Sequence, residues 1–312
     1  MARIVVLGAA GFLGSHLCDE LTKRGDLVVG VDDLSSGRIK NISHLLGNKN
    51  FEFIQQNIID DIHVPKKVDA VLNFASPASP DRYREMPLHT LRTGSMGTDN
   101  GLKLAVKNEA RFIMASTSEV YGEPLVHPQP ESYWGNVNSI GERSCYDEAK
   151  RYAEALCVAF SREHSLSVGI ARIFNTYGPR LASGDGRVVS NFIFQALSSK
   201  PLTIYGDGLQ TRCFCYVDDQ VRGLLKLLDS EVTGPINIGS IYEITMLDLA
   251  KVVISLTGVQ SDLVYQSVPA DDPTQRKPDI TLAKTVLGWS PSTTLHDGLE
   301  KTIEWFRGAY SF

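Results

Sequence analysis

The chain has 312 residues, a length that fits either two lobes or one enlarged α/β domain. Hydrophobic residues make up 43% of the chain and charged residues 21%, which is the balance of a soluble globular protein. The net charge of −5 gives no electrostatic reason to bind nucleic acid or a membrane surface, so a phosphate-bearing ligand needs a local site.

The cysteines and the start of the chain bear on its compartment. The cysteine count of 5 is odd and no spacing matches a zinc knuckle, so we predict reduced thiols and no metal site. The N-terminus runs directly into a predicted strand, and no apolar run reaches the roughly 18 residues of a membrane-spanning helix. We therefore expect a cytoplasmic protein, and a removed membrane anchor stays open.

The first half of the chain alternates predicted strands with predicted helices. The strands are apolar, β-branched runs, and the helices carry apolar residues at helical spacing. The predicted strands are Arg3–Leu7, Leu27–Val31, Phe51–Ile54, Ala70–Phe74, Arg111–Ala115 and Ser167–Ile173, and the predicted helices are Phe12–Arg24, Leu88–Val106 and Tyr146–Arg162. This alternation predicts an α/β fold with a Rossmann-type, doubly wound parallel sheet.

The texture of the sequence changes after Tyr177-Gly178-Pro179, where Gly and Pro cluster and the strands shorten. The later predicted elements are helix Val188–Ser198, strands Leu202–Tyr205, Cys213–Val217 and Pro235–Gly239, and helices Leu247–Leu256 and Leu295–Phe306. We predict a first domain over residues 1–175, to which the chain returns at about 213–245. Most of 176–312 is predicted to form a smaller C-terminal α/β lobe that binds substrate.

A glycine-rich turn lies between the first predicted strand and the first predicted helix. Its glycines allow a tight turn, and the helix N-terminus favours a pyrophosphate. The residues of this predicted cofactor turn are Gly8, Gly11, Phe12, Leu13 and Gly14. Asp32 ends the second strand 18 residues after Gly14, where a carboxylate accepts hydrogen bonds from adenosine ribose hydroxyls and repels a 2′-phosphate. We therefore predict an NAD site, although nearby Arg38 weakens the preference for NAD over NADP.

Tyr146 and Lys150 form a YxxxK pair one helical turn apart, so their side chains share one helix face. An ammonium close to a phenol is expected to lower the pKa of Tyr146 and to make it a base for a substrate hydroxyl. The polar run Ser116–Glu119 follows the strand Arg111–Ala115, at the edge where ligands bind in open α/β sheets. Together these features predict the oxidation of a hydroxyl group.

Several of these segments carry a family resemblance. The glycine-rich turn, the YxxxK pair, Ser-Thr-Ser-Glu-Val-Tyr-Gly at 116–122 and Arg-Ile-Phe-Asn-Thr-Tyr-Gly-Pro at 172–179 resemble extended short-chain dehydrogenases/reductases that act on nucleotide sugars. The segments 76–80, 117–122, 133–135, 145–148, 185–192 and 276–279 resemble the UDP-glucuronic acid decarboxylases, or UDP-xylose synthases, within that superfamily. The similarity covers nearly the whole chain.

The resemblance implies NAD-dependent conversion of UDP-glucuronic acid to UDP-xylose. It implies that Tyr146 takes the 4-hydroxyl proton during oxidation of C4 and that Thr117 hydrogen-bonds the reacting oxygen. The 4-keto sugar then loses CO2, C5 is protonated and hydride returns to C4. The same resemblance places Glu119 and Arg276 near C5, where they order the group that protonates it, and Ser118 near the carboxylate.

The ligand-binding residues are also implied by the resemblance. Asn57 and Ala75 join the predicted cofactor site. The residues implied around the UDP moiety are Asn175, Arg187, Val188, Tyr205, Gln210, Arg212 and Arg276, and those within reach of the sugar carboxylate are Tyr83 and Arg84. The chain departs from the family pattern at Asn57, where relatives have aspartate, and at Thr93-Gly94, where they have Thr-Asn. The sequence offers no reason for a glycine inside a predicted helix at Gly94.

Relatives with other activities provide alternatives. Nucleotide-sugar 4,6-dehydratases typically have Asp-Glu where this chain has Ser118-Glu119, because eliminating water needs an acid that a serine does not replace. The 4-epimerases typically have small or hydroxyl side chains at Glu119, so Thr-Ser-Glu favours decarboxylation. A UDP-4-keto-pentose synthase, either of these enzymes, and a non-catalytic NAD(H)-sensing or scaffold protein stay open, although the intact Tyr146/Lys150 pair argues against the last.

Partners are predicted on the same basis. The helices Leu88–Val106 and Tyr146–Arg162 resemble the pair that forms a four-helix dimer interface in this superfamily, which implies a homodimer. The alternative is that both helices simply cover the sheet. A UDP-sugar is the expected small-molecule partner.

Overall fold

The computed structural model describes residues 1–184, 186–269 and 271–312. Asp185, which begins the resembling segment 185–192, lies outside the described residues. The strands are β1 (Arg3–Leu7), β2 (Leu27–Asp32), β3 (Phe51–Gln55), β4 (Ala70–Asn73), β5 (Arg111–Thr117), β6 (Val168–Ile173), β7 (Thr176–Tyr177), β8 (Leu202–Tyr205), β9 (Thr211–Cys213), β10 (Cys215–Tyr216), β11 (Gly234–Ile238), β12 (Glu243–Thr245), β13 (Leu263–Gln266) and β14 (Gln275–Arg276). The α-helices are α1 (Phe12–Arg24), α2 (Pro80–Glu85), α3 (Pro87–Arg92), α4 (Thr98–Asn108), α5 (Ser144–His164), α6 (Val188–Leu197), α7 (Val217–Leu228), α8 (Met246–Thr257), α9 (Thr281–Leu287) and α10 (Leu295–Ala309).

The largest sheet joins seven of these strands in the order β11-β6-β5-β4-β1-β2-β3, and every neighbouring pair is parallel. The order of the strands reverses between β1 and β4: β1, β2 and β3 follow one another on one side, and β4, β5, β6 and β11 follow one another on the other. A crevice opens beyond the carboxyl ends of the strands at such a reversal, and ligands of doubly wound sheets bind there. The predicted Rossmann-type fold is therefore confirmed.

Alternating side chains of β1 pack on opposite faces of the sheet, as the strand period of two requires. Ile4 and Val6 join a core that extends over one face and into the C-terminal lobe, where it includes Trp289. Val5 and Leu7 join a second core on the other face, which contains residues of α4 and α5. Both faces are covered, so the strands read as continuous apolar runs.

The predicted strand Cys213–Val217 is wrong at Phe214, which separates two strands, and at Val217, which begins helix α7. The buried residues Val217, Val221, Leu224 and Leu228 recur at helical spacing along it. The run Cys213–Tyr216 before α7 is apolar and contains two aromatic residues, so it resembles a single strand. It is instead divided at Phe214 between β9 and β10, which pair with different partners. Helices α2 and α9 and strands β7, β12, β13 and β14 were also not predicted.

Short strands form small sheets in the C-terminal half of the described chain. Strand β9 pairs antiparallel with β12 and parallel with β14, which places Arg212 directly opposite Arg276. Strand β8 pairs in parallel with β13. Strand β11 lies beside β6 in the large sheet, whereas the division of the chain near residue 175 stays a prediction. None of the described helices combines the length and apolar character that crossing a bilayer requires.

The predicted helix Leu88–Val106 is interrupted by one π-helical segment, Thr93–Gly97, between α3 and α4. A Cβ atom on Gly94 would lie 2.6 Å from Cβ of Ala149 on α5. Gly94 therefore permits a close approach of the two helices, one residue from Lys150. This contact supplies the packing reason for Gly94 that was absent from the sequence.

We expect Gly94→Asn to lower the free energy of unfolding by about 1–3 kcal/mol, because the added side chain overpacks against Ala149. The cost should be smaller in an Ala149→Gly background. Urea unfolding of both single variants and the double variant measures this coupling. Gly308→Ala is the matched control, because no atom lies within 4 Å of the added Cβ on α10. If the changes in the free energy of unfolding of the two single variants simply add in the double variant, the explanation is contradicted.

Candidate active site

One large cleft, with a volume of about 630 Å³, collects most of the predicted site residues. Its lining includes all the predicted catalytic residues, namely Thr117, Ser118, Glu119, Tyr146, Lys150 and Arg276. The lining also includes all the predicted substrate-binding residues, namely Tyr83, Arg84, Asn175, Arg187, Val188, Tyr205, Gln210, Arg212 and Arg276. Residues from the sheet edge and from the C-terminal lobe therefore share one cleft.

The predicted cofactor residues line the cleft and a smaller pocket that adjoins it. The turn residues line the cleft, while Asp32, Asn57 and Ala75 line the smaller pocket, and Gly8 and Gly11 line both. Gly8 has φ +81°, and a Cβ on Gly14 would overlap the carbonyl oxygen of Gly8. Side chains are therefore excluded at Gly8 and Gly14, which leaves the backbone there open to a pyrophosphate.

Asp32 is held in place at the end of β2. One carboxylate oxygen accepts a hydrogen bond from the backbone nitrogen of Ala10 at 2.9 Å, and the other accepts one from Leu34 at 2.8 Å. Burial raises the pKa of Asp32, although both hydrogen bonds oppose the rise. Arg38 donates to the hydroxyl of Tyr310 at 3.2 Å. These glycines and this carboxylate fit the pyrophosphate and ribose of an NAD molecule.

Tyr146 and Lys150 are both buried on the first turns of α5. Nζ of Lys150 donates to the carbonyl oxygen of Ala115 at 2.8 Å and lies 5.8 Å from the centroid of the Tyr146 ring. Burial raises the pKa of Tyr146 to about 12, against a hydrogen bond with Thr117 that lowers it. The predicted lowering of this pKa is wrong for these side chains alone, because desolvation outweighs the other contributions. Burial also lowers the pKa of Lys150 to about 8.

Tyr83 packs directly on the catalytic candidate Tyr146. Their rings stack with centroids 5.2 Å apart and an interplanar angle of 12°. Tyr83 lies on α2, whose first residue Pro80 suits the start of a helix. The hydroxyl oxygen of Tyr83 is buried with no hydrogen-bond partner among the described residues, so it is available to a ligand in the cleft.

Glu119 lies between two arginines in the short helical turn after β5. One of its carboxylate oxygens pairs with Arg143 and the other pairs with Arg276. Burial by itself would raise the pKa of Glu119, but the charges of Arg143 and Arg276 outweigh it and lower the pKa to about 2. Glu119 is therefore a carboxylate at neutral pH and not a resting acid.

Arg276 is almost fully buried, with 2% of its surface exposed. It donates to Oγ of Ser118 at 3.2 Å and to the carbonyl oxygen of Gly122 at 2.8 Å. Strand β14 brings it there by pairing with β9. The predicted neighbours Ser118, Glu119 and Arg276 are thus in direct contact.

Three charged residues of this cluster, Arg143, Asp147 and Asp272, were not predicted. Arg143 lies 3.4 Å from Asp272 and 4.0 Å from Asp147, and Arg212 lies 3.1 Å from Asp272. Burial raises the pKa of Asp147 to about 7, and the charge of Glu119 adds to the rise. The sequence held one signal for Arg143, because it precedes Tyr146 by three residues and residues at this spacing share a helix face.

The model of the NAD dependent epimerase/dehydratase family matches residues 4–239. The chain belongs to this family. Among curated proteins, members named UDP-glucuronic acid decarboxylase are similar over 98% of the chain. UDP-glucuronic acid decarboxylase 2 of Arabidopsis thaliana is 51% identical over 305 residues and 68% of its own length, and UDP-glucuronic acid decarboxylase 1 of Xenopus tropicalis is 48% identical over 305 residues and 72% of its length.

Solved structures of nucleotide-sugar enzymes share the family fold. UDP-glucose 4-epimerase from Thermotoga maritima has a TM-score of 0.90 and 33% identity, with 98% of this chain and 99% of that chain covered. UDP-glucuronic acid 4-epimerase from Bacillus cereus, solved with UDP-glucuronic acid and NAD, has a TM-score of 0.89 and 30% identity, with 99% and 100% covered. These similarities confirm the family predicted from the sequence motifs.

Proposed function

We propose that the protein is an NAD-dependent UDP-glucuronic acid decarboxylase that forms UDP-xylose. Relatives that carry this name are 48–51% identical to it over nearly its whole length. In the site, Glu119 supports this function, because it is an ionised carboxylate that Arg143 and Arg276 fix beside Ser118. Ser118 and the ionised Glu119 offer no acid at the two positions where 4,6-dehydratases typically have Asp-Glu, which disfavours a 4,6-dehydratase.

Tyr146 and Thr117 act at C4 of the sugar. Bound NAD supplies reversible hydride acceptance. Tyr146 takes the proton of the 4-hydroxyl, and Thr117 hydrogen-bonds the same oxygen. Lys150, which is fixed on the carbonyl oxygen of Ala115, keeps a positive charge beside the tyrosine ring and favours the phenolate during this step.

The C4 ketone makes the C5 carboxylate a leaving group. The bond from C5 to the carboxyl carbon breaks, CO2 departs and the electron pair enters an enolate that extends to the C4 oxygen. Glu119 and Arg276 order the water that protonates C5. Tyr146 finally returns its proton to the C4 oxygen. The net reaction consumes one proton from solvent, because the proton held by Tyr146 is recycled.

The outer cleft supplies the residues for the UDP moiety. Tyr205 is 40% exposed, so its ring is open to packing against uracil or ribose. Gln210 donates to the carbonyl oxygen of Tyr205 at 2.9 Å, which ties the two residues together. Arg212 donates to Asp272 at 3.1 Å and to the carbonyl oxygen of Pro273 at 2.5 Å. We therefore assign Arg212 first to holding this segment. Arg187, which lines the cleft, is assigned to the diphosphate because a guanidinium makes charge-assisted contacts with phosphates.

Incubation of the purified protein with UDP-glucuronic acid and NAD tests the function. We expect equal amounts of CO2 and UDP-xylose, followed by NMR, with no net NADH in the absorbance at 340 nm. Stoichiometric NADH with a keto-pentose would indicate a UDP-4-keto-pentose synthase. An epimerised sugar that retains its carboxylate would indicate a 4-epimerase, and no turnover would indicate a cofactor-sensing protein.

A homodimer is also proposed. The helical region from α3 to α4 exposes Leu88, Leu91 and Met96, and α5 exposes Tyr152 and Val158. Neighbouring exposed apolar side chains on two long helices favour burial against a second copy of the same surface. Sedimentation equilibrium is expected to give twice the mass of one chain, and a single-chain mass at micromolar concentration would contradict the proposal.

A further inference from the structure

Arg143 stands at the N-cap of α5 and contacts acids from three separate segments. Glu119 belongs to the turn after β5, Asp147 to α5 itself and Asp272 to the segment that precedes β14. Arg143 also lines the cleft and is only 9% exposed. Its charge is therefore fixed inside the site and shared among elements that are far apart in the chain.

The two oxygens of Glu119 are held by different arginines. Oε2 accepts from Nη2 of Arg143, whereas Oε1 pairs with Nη1 of Arg276. Arg276 is itself fixed by Ser118 and Gly122. Two donors on opposite oxygens define the plane of a carboxylate, which a single donor leaves free to rotate. Arg143 therefore supplies the second constraint on the direction of the Glu119 lone pairs.

The reaction needs a proton at C5 that Tyr146 does not supply, because Tyr146 returns its own proton to the C4 oxygen. We propose that Arg143 is a positioning residue for this step and fixes Glu119 so that its carboxylate orients the water that protonates C5. The O–H bond of that water breaks as the C5–H bond forms, and the remaining hydroxide takes a proton from solvent. The inference rests on the proposed decarboxylase function.

Asp272 extends this arrangement to the C-terminal lobe. Its carboxylate accepts from Arg143 at 3.4 Å and from Arg212 at 3.1 Å, so it joins the first lobe to the segment before β14. Arg276 follows it by four residues. Arg143 thereby holds Glu119 directly and also helps to hold the segment that carries the other arginine of the pair.

The ratio of UDP-xylose to released 4-keto-pentose distinguishes this positioning role from a merely structural one. We expect Arg143→Met to lower kcat roughly tenfold to 100-fold and to change KM by less than about threefold. The charge-assisted contact that it removes acts on a step that follows substrate binding. C4 oxidation does not need Glu119, so a larger share of turnovers should release the 4-keto-pentose together with NADH. In D2O, the deuterium incorporated at C5 should be distributed over both hydrogen positions of that carbon instead of occupying one.

Arg143→Lys should restore part of the wild-type product ratio, because lysine keeps the charge but lacks the planar fork. Arg162→Met, an exposed position at the far end of α5, is the matched control and should behave as wild type. If Arg143→Met does not fold, Arg143→Lys carries the same test with a smaller shift. An unchanged product ratio and unchanged C5 stereochemistry in the folded variant would overturn the inference.

A second readout does not depend on turnover. Removing one arginine should raise the pKa of Glu119, which carboxyl ¹³C NMR of the ligand-free protein measures. The charged and titratable groups that face Glu119 are Arg143, Arg276, Arg212, Tyr83, Tyr146 and Asp147. An unaltered Glu119 titration in Arg143→Met contradicts the proposed contact. A wild-type protein that releases no CO2 would overturn the decarboxylase function itself, and the assignment at C5 with it.

Discussion

Tyr146→Phe is expected to lower the rate of turnover by about 10²- to 10⁴-fold while NAD binding is retained. The substitution removes only the hydroxyl that takes and returns the C4 proton. The phenylalanine ring keeps the stacking on Tyr83, so the fold and the cofactor turn should be unaffected. Initial rates of UDP-xylose formation and calorimetric titration with NAD measure the two properties separately.

The control for this variant is Tyr242→Phe, because Tyr242 is 72% exposed and lies outside the cleft lining. It should retain the wild-type rate. Substantial turnover by Tyr146→Phe would assign the C4 proton to another group. Loss of both turnover and NAD binding would show that the hydroxyl of Tyr146 supports the cofactor site instead.

Glu119→Gln is expected to lower the free energy of unfolding at pH 7 by about 3–5 kcal/mol and to abolish most turnover. The large effect follows because Arg143 and Arg276 are both buried and would be left with no shared counter-charge. Urea unfolding measures the stability. Glu142→Gln, at an exposed position beside Arg143, is the matched control and should cost little.

The stability difference between wild type and Glu119→Gln should depend on pH. The pKa of Glu119 in the folded protein, about 2, lies below its unfolded value of about 4.3. Its contribution is therefore fully present above the unfolded pKa and is lost as the pH falls from about 4.3 toward 2. A difference that widens on acidification over this range would contradict the ion-pair explanation.

The parts of the site that lie on one segment could be predicted from the sequence. Tyr146 and Lys150 are one helical turn apart, and the glycine turn joins a strand to a helix, so local spacing gives their geometry. The ion pairs of Arg143 with Glu119 and Asp272 were not predictable in this way. They join segments that are distant in the chain, and ion pairing has no sequence period.

The fold shows the same difference between local and long-range information. The alternation of apolar strands and amphipathic helices predicted the parallel sheet, which the structure confirms. Helix α7 was missed because a strand-like run leads directly into it. The reason for Gly94 was missed because it is a close contact with Ala149 on another helix. The pKa of Tyr146 was predicted from its neighbour Lys150, whereas burial decides it.

The pairing of β14 with β9 brings residues from late in the chain into the site, which bears on synthesis and proteolysis of the protein. Asp272 and Arg276 come late in the chain, after every strand of the large sheet. Every strand of the large sheet and the glycine turn are therefore synthesised before Asp272 and Arg276. By the same logic, one proteolytic cut just after Arg276 would disconnect no strand of the large sheet, whereas one cut before Asp272 would separate Asp272 and Arg276 covalently from Tyr146.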